Sequence, residues 1–329
     1  MKAVATYRLV ALVILSLSTQ VSVACGSETF LPLPKQARPV DDGPQGYRIQ
    51  KVRKNAYVVI SGIVQATFVV TASSVVVIDA PPALGDKLLT AIRSVTSNPV
   101  THVILTHSHS DHIGAATKFT NAELVAHELT AQVLSVYPDA ARPQPQHTFS
   151  GSHETLMVDG ERFELVYPGP NHETGNIMVY VPSEKLVVMT DIVMPGWAPY
   201  RGWGNADYIP GILKAHDEIL KVDFDTYVGG HVYRTGDRRD VEESRAFFLD
   251  LWNATGAAIA QEPFPTNVEP GNMWAAQKLW FDRIGDRVTA ALVPTWKDRI
   301  AATDTFTHDT VIAAIVSQFT DAPKLPASH

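Results

Sequence analysis

The chain of 329 residues contains a single cysteine, Cys25. No disulfide can close within one chain, and the folded body has no thiolate to offer a metal. Any metal site must therefore rest on nitrogen and oxygen donors. Positive charge is also short: 27 Lys and Arg stand against 34 Asp and Glu, a formal net charge of -7. That balance argues against nucleic acid or an anionic membrane surface as a partner. Long apolar runs are missing as well. The apolar stretch near the start, residues 9–17, is far shorter than the roughly 20 residues a membrane-spanning helix requires. Internal repeats and low-complexity tracts are absent. With 45% hydrophobic and 19% charged residues, the composition is that of a globular protein with length for a substantial core.

Lys2 and Arg8 accompany the apolar stretch and Ser22-Val23-Ala24 follows it, the pattern of an export signal. The expectation is a signal peptide over 1–24 and a secreted or periplasmic location. Cys25 falls at the cut, but Ser22 stands where Leu usually precedes a lipid-modified cysteine, so lipid anchoring is the lesser option. Residues 25–46, with Pro32, Pro34, Pro39 and Pro44, read as a linker or extended arm. From 47 to 235, strands and helices mix. β-branched runs at 57–60, 66–71 and 75–78 predict a meander, and 86–95 has helical spacing. A short buried strand is expected at 103–105, and hairpins at Asp159-Gly160 and Pro182-Ser183-Glu184. Residues 236–329 read as a helical C-terminal extension, with helical periodicity at 241–261, 274–292 and 310–319.

The stretch "THSHSDH", residues 106–112, places His107, His109, Asp111 and His112 where a strand ends and a helix is about to begin. Three histidines so close would repel one another if protonated, and they serve no core. Residues two apart leave a strand on a common side, so His107 and His109 can point to one centre. The turn at Asp111 directs Asp111 and His112 back toward the same spot. Nitrogen and carboxylate ligands without sulfur suit zinc, with iron or manganese as options. Three later residues lie at or just past strand ends, where loops converge on one rim. They are His172 in "PGPNHETGN", Asp191 after "KLVVMT" and His231 after "TYVGG". Seven ligands suffice for two metals that share a carboxylate and a water.

With His-x-His-x-Asp-His followed by His, Asp and His in order, residues 47–235 resemble the metallo-β-lactamase superfamily of dinuclear hydrolases. The resemblance implies an α/β (α+β) fold, the αββα sandwich, with metals at one edge. It implies two Zn2+: His107, His109 and His172 on the first, Asp111, His112 and His231 on the second, and Asp191 bridging. Asp79 matches a position that supports the metal loops. The chemistry implied is attack by a bridging hydroxide on a lactone, ester or thioester carbonyl, with Asp111 also relaying a proton to the leaving group. Members that are β-lactamases generally carry Cys or Ser in place of Asp191, so the aspartate is similar to lactonases, hydroxyacylglutathione hydrolases and phosphodiesterases. Two departures stand out. The motif continues Gly114-Ala115 where two glycines are usual, and Met194 stands where acyl-homoserine lactonases tend to have a tyrosine, leaving Tyr200 or Tyr208 to supply a hydroxyl.

The loop "PGWAPYRGWG", residues 195–204, follows Asp191 directly. Trp197, Tyr200 and Trp203 are candidates for an aromatic substrate wall, with Arg201 pairing an anionic group; a packed surface loop is the equal alternative. The tail aromatics Trp252, Trp274, Trp280, Phe281 and Trp296 are expected to pack helices onto the sandwich, with a homodimer face as their other use. His102 and His127 read as structural. The expected activity is hydrolysis of a small molecule. The alternatives are β-lactam hydrolysis and a mononuclear iron oxygenase of the persulfide dioxygenase type, which shares His-x-His-x-Asp-His.

Overall fold

The structure, a computed structural model, describes residues 30–321. The expected export signal over 1–24 and Cys25 lie outside the described residues. The first sheet runs, in spatial order, β1 (Arg48–Lys51), β2 (Ala56–Ser61), β3 (Val64–Val70), β4 (Val75–Ile78), β5 (Val100–Ile104), β6 (Glu123–His127) and β7 (His147–Phe149). β1 to β4 pair antiparallel; β4 to β7 run parallel. Parallel neighbours need crossovers, supplied by α1 (Asp86–Val95), by the segment holding the one-turn helix α2 (Ser110–Ile113), and by α3 (Glu128–Val136). β1 and β7 were not anticipated. β1 has one strong apolar residue, Ile49, and β7 has three residues in all, so neither shows a period a reader could detect.

The second sheet has the order β12 (Thr226–Val228), β11 (Leu186–Val188), β10 (Met178–Val181), β9 (Glu161–Val166), β8 (His153–Val158). β8 and β9 meet at Asp159-Gly160, where both residues have positive φ, the demand of a two-residue hairpin turn. Beyond α4, a single turn at Arg201–Asn205, come α5 (Ile209–Lys221), α6 (Arg238–Gln261), α7 (Met273–Trp296) and α8 (Thr307–Thr320).

Strand alternation sorts the apolar residues into three slabs. Val58, Ile60, Val76 and Ile78 face the second sheet and meet Phe163, Leu165, Val179 and Val228 between the sheets. Val59, Val75 and Val77 face outward onto Leu88 and Ile92 of α1. β4, covered on both sides, reads as an unbroken run of Val and Ile for this reason. Met178, Val187 and Tyr227 form the outer face of the second sheet and share one cluster with Ile212 of α5, Phe248 and Trp252 of α6, Trp296 of α7 and Ile315 of α8. The layers are thus α, β, β, α, and the C-terminal helices build the outer wall of the second sheet. Trp252 and Trp296 lie in that cluster, with Trp280 and Phe281 packed against it, whereas Trp274 is 80% exposed. The described part of the N-terminal arm is pinned down: Leu31 N–H donates to Asp304, Gln36 donates to the Arg299 carbonyl, and Arg234 donates to the Gln36 carbonyl. Among the described residues, no helix is long and apolar enough to cross a membrane.

Candidate metal centre

β4, β5, β11 and β12 end at one edge of the sandwich, and their connections carry Asp79, the 107–112 segment, Asp191 and His231; His172 comes from the loop between β9 and β10. Two donor sets result. In His107, His109, His172 and Asp191, one donor atom of each lies within 4.8 Å of the others, and the same holds for Asp111, His112 and His231. His109 Nδ1 faces His172 Nε2 at 3.0 Å, and His112 Nε2 faces His231 Nε2 at 3.0 Å. Asp191 stands between the sets. Its Oδ2 is 3.5 Å from His107 Nε2, 3.2 Å from His172 Nε2 and 3.1 Å from His112 Nε2, and its Oδ1 is 3.3 Å from His231 Nε2.

The backbone is bent to achieve this. Asp79 and Asp191 both adopt positive φ, 61° and 64°, a conformation non-glycine residues rarely take and one that concentrates at functional sites. Gly230, just before His231, admits no side chain: a Cβ there would sit 2.6 Å from Thr190 and 3.0 Å from the His112 ring. Asp79 holds the first loop from below. Its Oδ1 accepts from Thr106 N–H (2.9 Å), and its Oδ2 accepts from the hydroxyls of Thr106 (2.7 Å) and Thr190 (3.0 Å). With the Thr106 hydrogen committed to Asp79, His107 Nδ1 at 3.0 Å donates to the Thr106 oxygen. That tautomer, assigned from the network, leaves the His107 Nε2 lone pair aimed at the centre.

These donors fit divalent cations. Among the described residues, His107 Nε2 and Asp191 Oδ1 are buried polar atoms without a hydrogen-bond partner, an arrangement folded proteins avoid unless something else satisfies the atoms. At His107 the electrostatics agree. Burial and the neighbouring histidines hold His107 well below its ordinary pKa, keeping it neutral as a ligand must be. Burial alone would also lower His112, but the facing Asp191 outweighs it and lifts the pKa to about 9. Asp191 would be raised by burial, yet His112 and His172 hold it well below the usual carboxylate range. Asp191 is therefore an anion at neutral pH amid four imidazoles.

Residues 60–260 match the profile of the metallo-beta-lactamase superfamily. The chain belongs to that superfamily. Its relatives include the 2,4-dinitroanisole O-demethylase subunit alpha of Nocardioides sp. (strain JS1661), 30% identical over 269 residues, covering 79% of this chain and 77% of the relative. A type 2 metallo-beta-lactamase of Elizabethkingia meningoseptica is 27% identical over 188 residues, or 53% of this chain and 73% of that one. A solved metallo-beta-lactamase from Pontibacter korlensis superposes with a TM-score of 0.54 at 22% identity, covering 62% of this chain and 99% of that one. Membership of the superfamily points to a metal-dependent hydrolase, and the His/Asp cluster here is a group that could hold a metal ion.

The substrate-wall candidates separate. Trp203 turns inward and packs on Phe248 at a ring distance of 4.8 Å, with Trp203 and both flanking glycines in left-handed backbone. Arg201 is engaged by Asp309 at 3.0 Å. Tyr200 is exposed and meets Phe306. Trp197 pairs with Tyr233 at 6.3 Å, joining the loops after Asp191 and His231. His102 lies in β5; His127 caps α3 and bonds the Gly151 carbonyl. Sequence reasoning missed Tyr233, Asn171, Asn176 and Glu173. The two asparagines sit in a turn-rich loop, the only hint available; Glu173 has no signal at all.

Proposed function

We propose that the protein is an exported hydrolase that holds two divalent cations, zinc by preference, and cleaves a lactone, ester or thioester. The observation that carries this reading is Asp191, whose two oxygens face both donor sets at once. Bound there, a pair of cations supplies an acidified water and a Lewis acid for the carbonyl oxygen. The chain's residues do the rest. His107, His109 and His172 would hold one cation, and Asp111, His112 and His231 the other. The Asp111 carboxylate, 63% exposed and 3.7 Å from His231 Nε2, is placed to carry a proton to a leaving group. The facing His231 imidazole holds the Asp111 pKa below the usual carboxylate value. Trp197 and Tyr233 would offer an apolar edge to the substrate.

Zinc-loaded protein screened on lactones, thioesters, aryl esters and β-lactams, with metal counting, tests this. The expected result is two zinc ions per chain and turnover of a lactone, ester or thioester, lost on chelation and regained with zinc. Hydrolysis confined to β-lactams would shift the reading to a β-lactamase, which Asp191 disfavours. One iron per chain with sulfide-linked oxygen uptake would replace it. The length of the O-demethylase match, which reaches over 79% of this chain, favours a second reading, cleavage of an activated aryl methyl ether. 2,4-Dinitroanisole belongs in the screen.

A further inference from the structure

Behind the first donor set runs a ring of hydrogen bonds, and one side of it is carried by a backbone bond, Ile177 N–H to the Thr106 carbonyl at 2.9 Å, and, among side chains, by a single buried carboxylate. On the other sides several partners share the load. Thr106 and Thr190 both rest on Asp79. Thr190 offers its carbonyl to Asn176 Nδ2 at 3.0 Å, and Asn176 Nδ2 also donates to Asn171 Oδ1 at 3.0 Å. Asn171 Oδ1 accepts from His172 N–H at 2.7 Å. The ring then has to pass from the His172 loop back to the loop of His107 and His109. Beside the Ile177–Thr106 backbone bond, it does so through the side chain of Glu173.

Glu173 is buried, at 6% exposure. One of its oxygens accepts the Ser108 N–H at 2.7 Å and the other accepts the Ser108 hydroxyl. Ser108 is the residue between His107 and His109. Its remaining polar group, the carbonyl, accepts from Arg142 Nη1 at 2.8 Å, and Arg142 is itself fixed by Asp139 at 2.8 Å. Every polar group of Ser108 is thus held, two of them by the residue that follows His172. A buried carboxylate costs several kcal/mol unless its oxygens are satisfied, and Glu173 satisfies both on one residue. A glutamate here is an expensive way to fill space and an effective way to fix the distance between two loops.

We propose that Glu173 is a positioning residue of the first metal pocket, clamping Ser108 so that His107, His109 and His172 are set for a divalent cation before one binds. The proposal rests on the metal-centre reading above, but its readout is binding, not turnover. Partners behind metal ligands commonly contribute 10- to 100-fold in affinity. Zinc affinity measured by competition with a chromophoric chelator should therefore fall about 10- to 100-fold in Glu173→Ala and less in Ser108→Ala, which keeps the N–H contact. Glu173→Gln, which can still bond the Ser108 N–H and hydroxyl, should recover most of the loss. Cobalt-loaded Glu173→Ala should show an altered ligand-field spectrum at one of two ions, and the double variant with Ser108→Ala should lose less than the two single losses combined.

Unchanged affinity and spectrum in Glu173→Ala would overturn the proposal. So would a Gln variant as weak as the Ala variant, since charge rather than the clamp would then be responsible. If Glu173→Ala does not fold, Ser108→Ala decides: affinity and cobalt spectrum equal to wild type reject the clamp. Wild-type protein that binds two cations and hydrolyses none of the screened substrates leaves the proposal standing and removes the functional reading. Wild-type protein that binds none removes both.

Discussion

His107 and His172 are almost wholly enclosed, and each is backed by residues that are themselves held. His231 is 23% exposed and the Asp111 side chain 63%, and of their set only His112 is fully buried. Apart from the partly exposed His109, the first donor set is backed by Asp79, Thr106, Asn171 and Glu173; the second opens to solvent on one flank. The difference teaches a division of labour. Enclosure holds His107 neutral and its ring fixed, as a metal ligand would need. On the proposed reading, openness would leave the Asp111 carboxylate free to exchange protons with substrate and water. Asp191 belongs to both.

Removing the shared group should erase the contrast. Asp191→Ala is expected to lower kcat/KM by roughly three orders of magnitude or more, about 4 kcal/mol in the transition state, and to weaken both cations together. Metal per chain and kcat/KM read this out; loss of a single cation would show that Asp191 serves one set only. Asp111→Asn should sharpen the contrast instead. Turnover should fall on the order of 10²- to 10³-fold, with the enclosed cation retained, so that metal analysis finds close to one ion per chain after mild chelation. Two equally tight ions would contradict the asymmetry.

Acid will strip metal and also unfold protein, and the two must be separated before pH can compare the pockets. His216 provides the handle. Belonging to neither set, it bonds the Ile212 carbonyl and Ser244, and burial lowers its pKa to about 4. An unfolded imidazole takes up its proton near pH 6.5, while the folded one resists until about pH 4. Stability should fall as pH drops through that window, by about 3 kcal/mol when complete. Urea midpoints of wild type and His216→Gln from pH 7 to pH 4 test this: the variant should show the shallower decline, and parallel curves would refute the assignment. The smallest effect is expected at Arg201→Ala. Its ion pair with Asp309 is exposed and should contribute under about 1 kcal/mol, with no change in metal content or KM. A large rise in KM for an anionic substrate would return Arg201 to the site.

Much of the fold was legible. The meander, the two hairpins, α1 and the three C-terminal helices follow period-2 and period-3.6 patterns that survive in any context. β1 and β7 did not, because pairing with a long neighbour can recruit a polar or three-residue segment that has no pattern of its own. Trp203 shows the complementary failure. An aromatic residue six positions past Trp197 looks equally suited to a substrate wall or to a core, and the left-handed turn over Gly202, Trp203 and Gly204 settles its direction. Glu173 was invisible because a carboxylate beside a candidate ligand carries no sign of which distant N–H it will meet.

By itself, the sequence determined the chemistry of the donors: no sulfur, five imidazoles and two carboxylates, each placed at a strand end by local periodicity. Tertiary structure alone decided that these seven meet as two sets of unequal exposure, and that Ser108 is gripped from the far side of the sheet edge. Local pattern fixes what a side chain is and roughly where its strand stops; which residues share a pocket depends on the register and stacking of two sheets, a property of the whole chain.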